Sequence, residues 1–64
     1  MNFFPEGQEF TVFKNSDNSG WMGEIYKRTK DNKFIFHDGD VSYTAEELRE
    51  IANKLDELNH NSNG

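Results

Sequence analysis

The chain of 64 residues contains no cysteine. Disulfides and thiolate metal sites are thereby excluded, and stability has to come from packing alone. The absence fits a reducing cytoplasm, the expected location. No apolar run approaches the ~18 residues that span a bilayer, so no membrane segment is expected. The opening Met1-Asn2-Phe3-Phe4-Pro5-Glu6 lacks the charged and apolar regions of a signal peptide. Glycines are few and scattered, and none opens a helix after a strand, so no phosphate cradle forms. Histidine is limited to His37 and His60, and the serines fall in turns, a short strand or the tail. Nucleophilic catalysis needs a base held by a third group, and nothing here predicts one. The expectation is a non-enzymatic chain without cofactor or metal.

What the chain does contain is clearest at its C-terminal end. Thr44 is an expected helix N-cap, because its hydroxyl can accept the Glu47 N–H while the Glu47 carboxylate returns to the Thr44 N–H. Tyr43 before the cap and Leu48 after it can form a hydrophobic staple. Leu48, Ile51, Ala52, Leu55 and Leu58 then recur at three- and four-residue steps, one apolar stripe. Glu50 and Lys54 are spaced as an outward i, i+4 pair. Asn59 is an expected C-cap. Residues 1–59 therefore read as one domain, and residues 60–64 as a disordered tail.

A helix of ~22 Å is marginal alone in water, so the preceding chain must supply a surface for it. Residues 1–7 read as a lead-in punctuated by Pro5 and Gly7. Residues 8–14, 21–29 and 33–38 alternate and are rich in aromatic and β-branched residues, the pattern of strands. Gly23 inside the second predicts a bulge or a close approach by another group. Asp38-Gly39 is a hairpin signal, after which residues 41–43 can pair briefly as a fourth strand. The expected fold class is α+β: a three-stranded antiparallel meander, with room for a fourth strand, and a C-terminal amphipathic helix on one face.

Period-two alternation sorts the faces. Phe10, Val12, Trp21, Ile25, Phe34 and Phe36 are expected beneath the helix. Phe13, Met22, Tyr26 and Ile35, framed by Glu24, Arg28 and His37, are expected on the other side, where no second helix exists to cover them. Such a patch marks a partner or self-association surface, unless Phe3, Phe4 and Pro5 fold back over it.

The net charge of −5 is unevenly placed. Residues 1–37 hold five acids and five bases, whereas residues 38–64 hold seven acids against Arg49 and Lys54. The protein-binding candidates are accordingly Phe13, Met22, Tyr26, Arg28 and Ile35 on the sheet, with Glu46 and Glu50 on the acidic helix. That helix could also imitate phosphates in the groove of a DNA-binding protein, although a solvated face explains the same charges. His37-Asp38-Gly39-Asp40 and Asp17-Asn18-Ser19-Gly20 read as turns rather than metal loops.

The alternative function is nucleic-acid binding through Lys14, Lys27, Arg28, Lys30 and Lys33. Three antiparallel strands followed by a helix resemble, in architecture, the plant AP2-type DNA-binding domain and the N-terminal arm-binding domain of some phage and transposon integrases, which read DNA from the sheet. Here the sheet offers one arginine and the net charge has the wrong sign, so nucleic acid is the less favoured partner. The segment VSYTAEELREIANKLDELN, residues 41–59, resembles the C-terminal ends of small accessory proteins of tailed phages and prophages. That resemblance implies a small cytoplasmic protein that binds and modulates a host or phage macromolecule. It implies no activity and no site residues. A homodimer is compatible with either function, since it would bury the open sheet face.

Overall fold

The structure is a computed structural model and describes residues 1–62. Strands β1 (Asn2–Glu6), β2 (Glu9–Phe13), β3 (Trp21–Arg28) and β4 (Lys33–Asp38) precede one helix, α1 (Ala45–Ser62). The strands pair in chain order as an antiparallel sheet, and α1 packs against one face, an α+β fold. Among the described residues, no helix is long and apolar enough to cross a membrane.

The fourth strand lies at the start of the chain, not before the helix. The expected lead-in pairs with β2 from Asn2↔Phe13 to Glu6↔Glu9. Gly7, at φ +65°, supplies the positive φ that so tight a hairpin needs. Pro5 is tolerated because β1 is an edge strand. Residues 41–43 form no strand. Gly39 N–H donates to the Met22 carbonyl at 2.8 Å, Asp40 N–H donates to the Asp38 carboxylate at 2.9 Å, and Asp40 takes φ +61°. The chain thus turns off the sheet instead of pairing back along it.

The bulge at Gly23 decides the core. Val12 pairs with Gly23, but Phe13 pairs with Trp21, so Met22 is an extra residue in β3. Met22 and Gly23 then share the helix side, and the alternation before them reverses. Met22 is therefore buried with Val12 and Ile25, and Trp21 is 48% exposed. Both reverse the expected placement of these two residues. Phe3, Phe10, Phe34, Phe36, Tyr43, Leu55 and Leu58 pack around this centre.

The helix begins as expected. Thr44 N–H donates to Glu47 Oε1 at 2.9 Å, and Glu47 N–H donates to Thr44 Oγ1 at 3.1 Å. That backbone hydrogen bond holds the Glu47 carboxyl below its ordinary pKa. The stripe is rotated from its expected position. Ile51 is buried and Leu55 and Leu58 are half-buried, but Leu48 and Ala52 are exposed. Tyr43 turns toward the sheet, edge-on to Phe36, and its hydroxyl donates to the Met22 carbonyl at 2.6 Å.

Lys54 lies on the sheet-facing side of the rotated helix. Its ammonium lies 5.7 Å and 5.3 Å from the ring centres of Phe3 and Phe10, so it faces the sheet rather than solvent. Its acidic neighbour is Glu57 at 3.9 Å, in place of the expected Glu50. Asn59 is likewise not a terminal cap, since α1 continues to Ser62. Its amide bonds to the backbone of Phe34 on β4. Of the expected tail, Asn63 and Gly64 lie outside the described residues.

Candidate functional site: the open face of the sheet

One helix covers one face of a four-stranded sheet, and among the described residues the other face has no layer over it. Strand register gives its layout. One end carries Asn2, Phe13 and Trp21 side by side. The next row is Phe4, Thr11, Glu24 and His37, followed by Glu6, Glu9, Tyr26 and Ile35. Arg28 and Lys33 close the far end.

Phe13, Tyr26 and Ile35 lie on this face as expected, each half-buried by its neighbours in the sheet. Tyr26 and His37 rings sit 6.4 Å apart and tilted. Arg28 is at the far end, where its guanidinium forms a salt bridge to Asp31 across the β3–β4 turn. The hydrogen bond from Arg28 holds the Asp31 carboxyl below its usual pKa, and the same bond raises Arg28. Met22 does not belong to the face, because the bulge turns it into the core.

Two aromatic residues take its place. Phe4 is 42% exposed beside Thr11, and Trp21 stands next to Phe13 with its ring laid on Gly39. The N-terminal segment therefore widens the open face rather than folding over it. Gly23 was the sequence signal that could have placed Trp21 here. Phe4 was hidden by Pro5, which reads as an interruption unless the strand is an edge.

The acidic candidates lie elsewhere. Glu46 and Glu50 are exposed on α1, across the sheet from the open face. Glu50 borders a shallow groove with Phe3, Asn53, Lys54 and Glu57. Glu47 is engaged in the cap, and Arg49 and Lys54 interrupt the acidic row.

Of the basic candidates, Arg28, Lys30 and Lys33 share one end of the sheet, and Lys27 and Lys14 do not join them. Lys27 points to the helix side, 5.5 Å from the Phe34 ring centre. Lys14 follows β2 at the end of the sheet opposite Arg28, Lys30 and Lys33, with its N–H on the Gly20 carbonyl at 2.8 Å. The open face itself carries Glu6, Glu9 and Glu24, which would meet a phosphate backbone with like charge.

The two turn motifs hold themselves together by local hydrogen bonds. Asp17 accepts from Ser19 N–H at 3.2 Å and Ser19 Oγ at 2.6 Å, and the hydroxyl bond lowers its pKa. Among the described residues, no group of three or more His, Cys, Asp or Glu could hold a metal ion. Comparison with protein-family models, curated proteins and solved structures finds no match to this chain.

Proposed function

We propose that the protein is a non-enzymatic interaction module that docks a protein partner on the open face of its sheet. The observation that carries this is the uncovered face bearing Phe4, Phe13, Trp21, Tyr26 and Ile35. Aromatic side chains that offer large area with little conformational entropy to lose are the usual anchors of such interfaces. The mechanism is surface occlusion: the partner's own site is covered by a rigid sheet. The resemblance of residues 41–59 to phage and prophage accessory proteins supports a host or phage macromolecule in the cytoplasm as that partner.

The test is capture of partners from lysate with and without nuclease, followed by affinity measurement with purified components. Trp21→Ala and Tyr26→Ala should weaken binding at least about tenfold each, as buried aromatic anchors do. Glu46→Gln and Glu50→Gln on the helix should leave it unchanged. The reverse pattern would move the site to α1. Loss of all captured protein with nuclease would move it to nucleic acid.

A further inference from the structure

We infer that the partner docked on the open face presents a basic segment, with an arginine side chain laid over Glu24. The inference rests on the open-face reading above and names the chemistry of its occupant.

Glu24 occupies the middle of the face. Its cross-strand neighbours are Thr11 and His37, and the next outward side chains along β3 are Trp21 on one side and Tyr26 on the other. A partner that covers both aromatic rings therefore covers the carboxylate between them. Burying a carboxylate without a counter-charge costs more than the aromatic contacts return, so the partner has to bring a cation.

The chain supplies no cation of its own at this point. Among the described residues, Glu24 forms no salt bridge. Arg28, the base on the same face of β3, is two pleats further on, roughly 13 Å along an extended strand. Its guanidinium is already held by Asp31. Lys27 and Lys54 lie on the helix side, the first against Phe34 and the second against Phe3 and Phe10.

A second pair of carboxylates calls for the same chemistry. Glu6 and Glu9 stand directly opposite each other across the β1–β2 hairpin, and both are exposed. Like charges at opposed positions destabilise a strand pair. Among the described residues, neither is relieved by a salt bridge. Register places Glu9 beside Tyr26, one row from Glu24. A basic segment running from Glu24 to Glu9 crosses Tyr26 on the way and relieves the repulsion.

Arginine fits the centre better than lysine. Its planar guanidinium stacks on an aromatic face while its fork donates two parallel hydrogen bonds to one carboxylate. Trp21, 48% exposed, and half-buried Tyr26 offer such faces on either side of Glu24. The net charge of −5 steers a basic partner toward the chain.

The experiment titrates hexa-arginine amide into the full, isotope-labelled chain at low ionic strength, followed by amide NMR shifts and by Trp21 fluorescence. Shifts should centre on Thr11, Trp21, Glu24 and Tyr26. Hexa-lysine amide should bind at least about threefold more weakly, for want of a stacking plane. Glu24→Gln should weaken hexa-arginine about fivefold or more, whereas Glu46→Gln and Glu50→Gln on α1 should change it less than about twofold. Glu9→Gln should weaken it while raising the urea midpoint, the reverse of what a merely structural carboxylate gives.

Shifts confined to α1 overturn the basic occupant. So does equal affinity for the two peptides, or binding that ignores Glu24→Gln. The open-face reading is judged separately, on protein captured from lysate. If capture needs Trp21 and Tyr26, but hexa-arginine does not compete and Glu24→Gln changes nothing, that reading stands and only the basic occupant falls. If Trp21→Ala and Tyr26→Ala leave capture unchanged as well, both fall.

Discussion

Asn59 on the helix pairs with both backbone groups of Phe34 on the edge strand. Phe34 N–H donates to Asn59 Oδ1 at 2.7 Å, and Asn59 Nδ2 donates to the Phe34 carbonyl at 3.2 Å. A side-chain amide thus takes the place that a fifth strand's backbone would occupy. Asn59→Ala removes both partners from half-buried groups and should cost ~1–3 kcal/mol in urea unfolding. Asn59→Asp keeps the acceptor but turns a carboxylate oxygen toward the carbonyl. It should cost more at neutral pH than at a pH where that carboxyl is protonated.

Gly23 cannot carry a side chain. A Cβ there would strike the His37 carbonyl and lie 2.9 Å from the Phe36 ring, at φ +149°. Gly23→Ala should destabilise by more than ~2 kcal/mol, because neither the neighbouring backbone nor the φ can be relaxed cheaply. Denaturation monitored by circular dichroism decides it. A cost below about 1 kcal/mol would mean that the bulge is not where the structure has it.

Gly39→Ala makes a different kind of conflict. Its Cβ would collide with the Trp21 ring, which is half-exposed and free to swing away. The expected result is a red shift of tryptophan fluorescence, with a smaller stability loss than at Gly23. Trp21 is the chain's one tryptophan, so the signal is unambiguous.

Acid should loosen the start of α1. The Glu47 carboxyl is held below its ordinary pKa, chiefly by the Thr44 N–H. Its contribution is therefore fully present above the ordinary glutamate range and is lost as pH falls through the lowered, folded value. Asp17 and Asp31 are shifted in the same direction and add to the loss. Glu47→Gln keeps the hydrogen-bond acceptor without the titration. It should flatten part of the fall in urea midpoint between neutral pH and about pH 3, and leave the part owed to the two aspartates.

The two faces of the sheet should respond unequally to truncation. Ile51→Ala empties a buried position under the helix and should cost ~2–5 kcal/mol. Tyr26→Ala on the open face should cost less than ~1 kcal/mol in the same measurement.

The fold was readable in the sequence wherever one local rule acted alone. Thr44 and Glu47 specify the helix start by their own hydrogen bonds, and the alternation in residues 33–38 specifies β4. Prediction failed where two rules competed. Pro5 argues against a strand unless the strand is known to be an edge, and edge position is a tertiary fact. Gly23 announces a bulge but not its direction, and that direction moves Met22 inward and Trp21 outward. Lys54 breaks the apolar stripe by polarity but completes it through its aliphatic stem and the two aromatic rings it covers. The candidate site inherits these limits: Phe13, Tyr26 and Ile35 follow from alternation, whereas Phe4 and Trp21 require the register.

The Asn59 clamp also bears on how this protein would fail. Cross-β growth recruits new strands at an open, flat edge, one hydrogen-bonded rung at a time. Here one edge is interrupted by a proline, and the other is held under the last turns of its own helix. A fibril seed that pairs with β4 at Phe34 has to displace the Asn59 amide first. Fraying at the end of α1 would expose that rung, so a substitution that weakens the end of the helix should raise amyloid propensity without touching a strand.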